Sequence, residues 1–461
     1  MTALWTSDEI AAAVGGEAHG AFSADGVAFD SREVGPGDLF VALRGEATDG
    51  HKFVDSAFGN GAAGAIVSEE CGHPHIRVPD TVAALDALGI ASRARTEAKI
   101  IGVTGSVGKT SAKEALFAAL DRSAEGRTHR SVKSYNNHTG VPLSLARMPA
   151  GSRYGVFEMG MNHAGELSAL TRLVRPHVAM VTAIAPAHIE FFDSIEAIAD
   201  AKGEIFEGLE PDGTALIPYD SPHRDRLIAA ATPYAARIRT FGLGEGADIR
   251  AVEISREITG TIVSAVLPEG ELTFTIGLPG EHWVSNALAV IGAVEAVRGD
   301  LAVAGLALAE MAGLPGRGAR SAIPLEDGEA LLIDESYNAN PVSMAAALDT
   351  LGDEPAERRI AVLGAMGELG EDAETYHAQL AGPIAGAGVD MAVLVGAPMK
   401  VLADALGNTI DLVHVPDAAA ALASLEGEIR AGDAVLVKGS NYIGLARLVE
   451  ALASGKTTCS I

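Results

Sequence analysis

IIGVTGSVGKT, residues 100–110, is the stretch that decides the fold of this chain. It begins as an apolar run typical of a buried strand, continues as a glycine-rich loop, and leads into the helical pattern of residues 111–120. Glycines in such a loop let backbone N–H groups curl around phosphate oxygens, and the helix N-terminus adds a positive dipole end. The stretch therefore predicts a strand–loop–helix unit that binds a phosphate group in an α/β domain.

Two side chains at the end of this loop extend the prediction to a nucleoside triphosphate. The ammonium of Lys109 would reach the β- and γ-phosphates, and the Thr110 hydroxyl would ligate Mg²⁺. Position 103 is valine where a strict Walker A motif has glycine, so the alternative is a glycine-rich turn that merely contains lysine. The preceding strand and the following helix favour the nucleotide site. The predicted phosphate-binding residues are Gly105, Ser106, Val107, Gly108, Lys109 and Thr110.

Strand and helix patterns alternate on both sides of the loop. Apolar runs at 156–159, 178–184 and 215–217 predict strands of a mostly parallel sheet covered by helices. Residues 248–278 switch to alternation with a period of two, which predicts an antiparallel meander at the edge of that sheet.

The length of 461 residues is too great for one ordinary core. Residues 1–82 mix short β-rich runs with glycine-rich turns, typical of a small α/β domain. After the Gly- and Pro-rich residues 314–318, strands and helices alternate again, which predicts a Rossmann-like domain. We therefore predict an α/β protein of three domains, at residues 1–82, 83–313 and 314–461.

Charge and composition restrict the partners. With 61 acidic against 34 basic side chains, the net charge of −27 argues against nucleic acid and anionic membrane surfaces as partners. Cys71 and Cys459 match no metal or disulfide framework. Because the N-terminus lacks the pattern of a signal peptide and no apolar run is long enough to span a bilayer, we expect a cytoplasmic protein.

Further candidates follow other strands. Glu158 ends one apolar run and His188 follows the next, and ligands of open α/β sheets bind at the carboxyl ends of strands. Each residue alone is more often structural, but together with the loop they favour a metal-bound triphosphate. Lys202, taken alone, is typical of a solvated helix face. The polar turn DESYNANP, residues 334–341, ends a strand in the way that functional loops do.

Eight segments, in order along nearly the whole chain, resemble the Mur ligases of cell-wall peptide synthesis. They are TGSVGKT (104–110), EMGMNHAGE (158–166), TAIAPAHIE (182–190), AKGEI (201–205), HWVSNALAV (282–290), DESYNANP (334–341), GAMGELG (364–370) and KGS (438–440). Within the family, YNANP, GELG, the NN…GVPL segment at 136–143 and the N-terminal segments DSR (30–32) and DGHKF (49–53) resemble the branch that uses D-alanyl-D-alanine.

The resemblance implies an ordered ligation that consumes ATP. The terminal carboxylate of a UDP-linked muramoyl tripeptide would attack the γ-phosphate, and the amine of D-Ala-D-Ala would then displace phosphate from the resulting acyl phosphate. Such chemistry asks mainly for positioning and charge neutralisation. ATP and Mg²⁺ are the implied cofactors, both other substrates are small molecules, and we expect a monomer.

The resemblance also assigns roles to individual residues. Lys109, Lys202, His188 and Glu158 are the implied catalytic residues, and Lys202 matches a lysine that the family carries as a carbamate. Thr110, Glu158, His188 and Lys202 are the implied metal ligands. Asn286 should lie near the adenine and Asp334 near the ribose of ATP. The implied substrate-binding residues are Ser31, Arg32, Asn136, Asn137, Tyr337 and Asn338.

Several positions depart from the family pattern. Ala365 stands where aspartate is usual, Asn441 where arginine is usual, and Ser134 where the first asparagine of an N-x-N-N segment is usual. These changes affect contacts in the C-terminal domain and around the tripeptide rather than the ATP chemistry. Arg317 and Arg320 are both candidates for a phosphate contact, and the spacing to Asp334 favours Arg320.

Three other interpretations compete with this one. Another ligase of the same mechanism, such as the tripeptide-forming Mur enzyme or folylpolyglutamate synthase, is the nearest, although the Asp-Asn-Pro-Arg signature of the former is absent. A P-loop switch or transport ATPase would leave the AKGEI lysine and the SYNANP turn without a role. A non-catalytic homologue is disfavoured because Lys109, Glu158, His188 and Lys202 are all present. The sequence leaves open whether the tripeptide ends in diaminopimelate or lysine.

Overall fold

A computed structural model describes residues 3–45, 48–257 and 260–455 of the chain; Cys459 lies outside them. The N-terminal part contains a five-stranded sheet of order β2-β7-β6-β5-β4, in which only β2 is antiparallel to its neighbour, and the short ribbon β1-β3. Its strands are β1 Trp5–Thr6, β2 Glu17–His19, β3 Ser23–Ala24, β4 Gly26–Ala28, β5 Asp38–Val41, β6 Gly64–Val67 and β7 His75–Arg77. Its helices are α1 Ser7–Val14, α2 Val54–Gly59 and α3 Thr81–Ala94.

The central part is built on a nine-stranded sheet of order β16-β15-β14-β13-β12-β11-β8-β10-β9. Its strands are β8 Lys99–Thr104, β9 Thr128–Arg130, β10 Tyr154–Glu158, β11 Val178–Val181, β12 Thr214–Pro218, β13 Arg237–Gly242, β14 Ile249–Glu257, β15 Gly260–Leu267 and β16 Gly270–Ile276. Its helices are α4 Lys109–Ala124, α5 Gly140–Ala146, α6 Glu166–Val174, α7 Ile195–Gly203, α8 Arg224–Ala231, α9 Glu281–Ala296 and α10 Leu301–Ala309.

Both faces of the central sheet are covered, as the continuous apolar strands require. Helices α4, α9 and α10 bury one face, and α6, α7 and α8 bury the other. The predicted meander is confirmed, since β14, β15 and β16 pair antiparallel at one edge. The predicted strand at 178–184 is too long: β11 ends at Val181, and residues 182–185 leave the sheet to contact the glycine-rich loop.

The C-terminal part contains a six-stranded sheet of order β17-β18-β22-β19-β20-β21, parallel except for β17. Its strands are β17 Ala319–Leu325, β18 Gly328–Glu335, β19 Arg358–Gly364, β20 Met391–Val395, β21 Asp411–Val415 and β22 Asp433–Lys438. Its helices are α11 Pro341–Gly352, α12 Ala373–Gln379, α13 Ala381–Gly386, α14 Lys400–Leu406, α15 Ala418–Leu425 and α16 Ala446–Ala453. The three sheets confirm the α/β fold, while the domain limits at 82/83 and 313/314 stay predictions.

The N-terminal sheet and the central part share a core. Helix α3 packs between that sheet and α5, whose Leu143 and Ala146 are buried in the N-terminal cluster. The Trp5 indole donates a hydrogen bond to the Ala146 carbonyl (2.8 Å), and the Arg95 guanidinium lies 3.5 Å from the centre of the Trp5 ring. Apolar packing, this hydrogen bond and this cation–π contact together hold the two parts in contact. Among the described residues, no helix combines the length and hydrophobicity that crossing a bilayer requires.

Candidate active site

A cleft of about 480 Å³ lies at the carboxyl ends of the central strands. The glycine-rich loop, Glu158 and α9 form one wall. The other wall is formed by Gly316 and Arg317, by the polar turn after β18 and by α11. The cleft therefore brings the central and C-terminal parts together around the phosphate-binding loop.

The loop is fixed by close backbone contacts. Gly105 has φ of +151°, and a Cβ atom there would lie 2.0 Å from Thr182 Oγ1. Gly108 has φ of +83° and directly precedes α4, and a Cβ atom there would lie 2.9 Å from Asn286 Oδ1. Ser106 donates its backbone N–H to the Ala183 carbonyl (2.8 Å). Glycine is required at both positions because a side chain would collide with neighbours that hold the loop in shape.

Lys109, Thr110 and Glu158 meet at the base of the cleft. The Lys109 ammonium donates to the Gly105 carbonyl (2.7 Å), and the Thr110 hydroxyl donates to Glu158 Oε2 (2.9 Å). Burial lowers the pKa of Lys109, the Glu158 carboxylate acts in the opposite direction, and Arg317 lowers it further. The structure thus places the cationic and oxygen-donor side chains that the sequence predicted around one point.

Further contacts orient Glu158. Asn136 donates its side-chain amide to Oε1 (2.8 Å), and Ser131 Oγ accepts the Glu158 backbone N–H (3.0 Å). The fully buried Lys113, one turn along α4 from Lys109, lies 3.8 Å from Glu158 Oε2 and 3.1 Å from Glu114 Oε1. Sequence reasoning missed Lys113, although its spacing of four residues from Lys109 places it on the same helix face.

Lys202 is buried at the end of α7 with only 1% of its surface exposed. Burial first, and then the positive charge of Lys109, hold its pKa well below the ordinary value for lysine. No carboxylate of the described residues opposes this shift. The prediction from the lone residue, a solvated helix face, is therefore wrong.

His188 lies on the loop after β11, in the left-handed conformation (φ +60°). Its Nδ1 lies 2.5 Å from Glu368 Oε2 of the C-terminal part, and Glu190 donates its backbone N–H to the Glu368 carbonyl (3.3 Å). The close approach of His188 lowers the pKa of Glu368. His188 thus lines the cleft and also joins its two walls.

The turn after β18 supplies the polar residues of the C-terminal wall. Glu335, Tyr337 and Asn338 line the cleft, and the Lys438 ammonium lies 3.3 Å from Glu335 Oε2 and 3.0 Å from the Asn338 carbonyl. The Arg317 guanidinium lies 4.1 Å from the centre of the Tyr337 ring. Glu335, Lys438 and Arg317 form a charged wall. Glu335 and Lys438 belong to the DESYNANP and KGS segments, and Arg317 is one of the two arginines predicted for a phosphate contact.

The geometry favours Arg317 over Arg320 for a phosphate contact. Arg317 lines the cleft, whereas Arg320 lies on β17, outside the cleft, and pairs with the largely buried Glu354. Asp334 also faces the turn rather than the cleft: its carboxylate accepts hydrogen bonds from the Gly316 N–H (2.6 Å) and the Ser336 hydroxyl (2.6 Å). The structure does not support the spacing argument for Arg320, because this residue lies on β17, which begins at Ala319, and its guanidinium is engaged by Glu354.

The remaining predicted substrate residues and Asn286, predicted near the adenine, lie in three places. Asn136 and Asn286 line the cleft, whereas the Asn137 side chain accepts the Gly140 N–H (2.9 Å) at the start of α5. Ser31 and Arg32 form a 3₁₀ turn of the N-terminal part, outside the cleft, where Arg32 pairs with Asp30 (2.6 Å). The structure does not bring these last two residues to the phosphate loop.

The fold and the site together define a P-loop α/β enzyme with a nucleotide cleft between two parallel-sheet domains. Family models match three parts of the chain: the Mur ligase family, catalytic domain at residues 23–89, the Mur ligase middle domain at 103–294, and the Mur ligase, glutamate ligase domain at 323–441. The chain belongs to the Mur ligase family.

Relatives match over nearly the full length. The chain is 34% identical over 459 residues to the UDP-N-acetylmuramoyl-tripeptide–D-alanyl-D-alanine ligase of Escherichia coli strain K12, covering 98% of this chain and 99% of the relative. The crystal structure of MurF from Acinetobacter baumannii superposes with a TM-score of 0.85 at 31% identity, covering 98% and 99% of the two chains. MurF from Thermotoga maritima in complex with ADP gives 0.78 at 25% identity, covering 93% and 97%.

Proposed function

We propose that this chain joins the amine of D-alanyl-D-alanine to the terminal carboxylate of a UDP-linked muramoyl tripeptide and consumes one ATP in doing so. The observation that carries the proposal is the match, over almost the whole chain, to ligases named for this reaction. The cleft supports it, because a loop suited to triphosphate faces a separate polar wall suited to a second substrate.

Activation of the carboxylate is the first step. A carboxylate oxygen attacks the γ-phosphorus, the bond to the β–γ bridging oxygen breaks, and ADP leaves with that electron pair. The loop N–H groups and the N-terminus of α4 hold the phosphates. Lys109 exchanges its Gly105 carbonyl partner for a phosphate oxygen and neutralises the charge that develops during transfer.

The donor set at the base of the cleft fits Mg²⁺. Thr110 and Glu158 present a hydroxyl and a carboxylate oxygen that already lie 2.9 Å apart, and this hard cation prefers oxygen ligands. When bound, Mg²⁺ would neutralise negative charge on the phosphates. Asn136 and Lys113 keep the Glu158 carboxylate in place for this role.

Lys202 fits the site as a carbamate rather than as an ammonium. A cation has no lone pair to offer a metal, whereas a carbamate offers two oxygen atoms and a negative charge. Formation of the carbamate requires the neutral amine, and the buried position beside Lys109 favours that form. The new anion would offset the positive charge of Lys109 in the same buried region.

Peptide bond formation is the second step. The amine nitrogen of the dipeptide attacks the carbonyl carbon of the acyl phosphate, phosphate leaves with the C–O electron pair, and the nitrogen loses a proton. Tyr337 and Asn338 lie where they can orient a substrate against the phosphate loop. Ser31 and Arg32 on the N-terminal sheet would bind the distant UDP end of the tripeptide substrate.

Release of ADP and phosphate across a panel of substrates tests the proposal. We expect ADP and phosphate in equal amounts, and a pentapeptide product, only when ATP, a UDP-linked tripeptide and D-Ala-D-Ala are all present. Tripeptides ending in diaminopimelate and in lysine should be compared. Equal turnover with a single amino acid would overturn the dipeptide assignment, and ADP release without any carboxylate and amine would indicate a P-loop ATPase of another class.

A further inference from the structure

One face of the strand pair β2–β7, on the N-terminal sheet away from the cleft, carries two histidines. The strands are antiparallel, with Glu17 opposite Arg77 and His19 opposite His75. Because side chains alternate with a period of two, all four project from the same face. The imidazole rings of His19 and His75 stack with their centres 4.5 Å apart and their planes within 3° of parallel.

Both histidines leave a ring nitrogen without a partner in the described structure. The Nε2 atoms of His19 and His75 are buried and make no hydrogen bond. His75 is 98% buried, and its Nδ1 lies 2.8 Å from the His73 carbonyl. A carbonyl only accepts, so Nδ1 carries the proton and the buried Nε2 has a free lone pair. Such an arrangement is the usual orientation of a metal-binding imidazole.

A carboxylate completes the cluster from a different element. Glu70, on the loop between β6 and β7, places Oε2 3.5 Å from His75 Nε2. The other oxygen of Glu70 accepts a hydrogen bond from Arg77 (2.6 Å). Arg77 also donates to Glu17 Oε2 (2.8 Å), which lies 3.7 Å from His19 Nε2. The ligand atoms of His19, Glu70 and His75 all lie within 4.8 Å of one another. Arg77 thus holds both carboxylates beside the histidine pair.

We propose that His19, His75 and Glu70 form a second metal site, for Zn²⁺ or a chemically similar divalent transition ion. Two imidazole nitrogens and one carboxylate oxygen form a ligand set of the kind that binds Zn²⁺. Imidazole suits Zn²⁺, Co²⁺ and Ni²⁺, whereas Mg²⁺ prefers oxygen ligands, so the site differs in specificity from the base of the cleft. Because the ring of His19 is one-third exposed, it can tilt towards a shared ion. Bound metal would tie edge strand β2 and the 68–74 loop to β7.

Metal titration of the full-length chain, carrying no polyhistidine tag, tests the site. Calorimetry with Zn²⁺ is run in excess Mg²⁺, which occupies oxygen-ligand sites. A parallel titration with Co²⁺ follows visible absorption, which is more intense for four-coordinate than for six-coordinate ions. We expect one equivalent of bound Zn²⁺, and a Co²⁺ spectrum of the four-coordinate kind. Absence of Zn²⁺ binding by the wild-type chain would overturn the proposal.

Variants locate the ion. His75→Ala should abolish binding, and Glu70→Gln, which changes a largely exposed side chain and so preserves the fold, should weaken it at least about tenfold. His414→Ala is the matched control, since it removes an exposed histidine on β21 of the C-terminal sheet. Unchanged binding by both His75→Ala and Glu70→Gln would overturn the assignment. A folded His75→Ala variant that still binds Zn²⁺ fully, while Glu70→Gln does not, would also overturn the assignment.

Discussion

Replacement of Lys202 by methionine tests the electrostatics of the site most sharply. Methionine keeps the length and apolar stem of lysine but carries no titrating group. The folded pKa of Lys202 is depressed because burial, and then Lys109, disfavour the ammonium. Between that folded pKa and the higher unfolded value, the unfolded chain binds one more proton than the folded chain. The contribution of Lys202 to the free energy of unfolding therefore rises with pH across this window.

The size of the effect follows from one proton. Within the window, each unit by which the pH falls lowers the free energy of unfolding of the wild-type chain by up to about 1.4 kcal/mol. Lys202→Met lacks this penalty. In buffer free of bicarbonate, the stability advantage of the variant should thus be larger at pH 7 than at pH 9, by about 1.4 kcal/mol for each pH unit of that interval that lies within the window. Lys99→Met, which changes an exposed lysine on β8, is the control and should show no such difference.

Urea unfolding followed by tryptophan fluorescence measures this difference, because Trp5 lies in the N-terminal part and Trp283 lies in the central part. The same variant should lose about 10²–10³-fold in phosphate release, the scale of a lost electrostatic contact, and formate or acetate should restore part of it. A stability difference that is equal at both pH values would refute the buried, unpaired amine. Full activity of Lys202→Met would refute its catalytic role.

Four further substitutions address the cleft and its surroundings. Lys109→Ala should lower phosphate release by at least about 10²-fold without changing the urea midpoint greatly, and near-normal turnover would contradict its role at the phosphates. Arg317→Ala should raise the KM for ATP. Arg320→Ala should leave this KM unchanged and lower the stability of the fold, because it breaks the pair with Glu354. The reverse pattern would show that Arg320 makes the phosphate contact. Glu368→Gln removes a carboxylate whose pKa is lower than usual. The strength of the contact with His188 should then no longer depend on ionisation of residue 368 at acidic pH. The KM for the tripeptide should rise several-fold in steady-state assays.

Local sequence patterns were sufficient for the strand–loop–helix unit and the strands around it, but not for the contacts across the cleft. The glycine-rich loop and the apolar strands were visible because their patterns lie in consecutive residues, although the contacts of Gly105 and Gly108 with Thr182 and Asn286 were not. The pairing of His188 with Glu368 joins residues far apart in sequence, and no local pattern encodes it. Short or polar strands such as β9 and β21 also escaped prediction, since their partly exposed residues lack a clear period.

Lys202 shows the same limit in a single residue. Taken alone, a lysine on a helix is expected in solvent, and only the packing of α7 reveals that this one is buried. The resemblance to a family singled out the residue, but physical reasoning from the residue itself pointed the other way. Its special status is a tertiary property, created by burial and by the charge of Lys109.

The junction between the N-terminal and central parts differs in kind from the junction between the central and C-terminal parts. This difference determines the order in which the parts unfold. The N-terminal sheet shares buried Leu143, Ala146 and Trp5 with the central part, whereas the C-terminal part meets it through polar pairs such as His188–Glu368 and Arg256–Asp353 (2.5 Å). Apolar packing couples domains far more strongly than exposed ion pairs. We therefore expect the N-terminal and central parts to unfold together, and the C-terminal part to separate from them first.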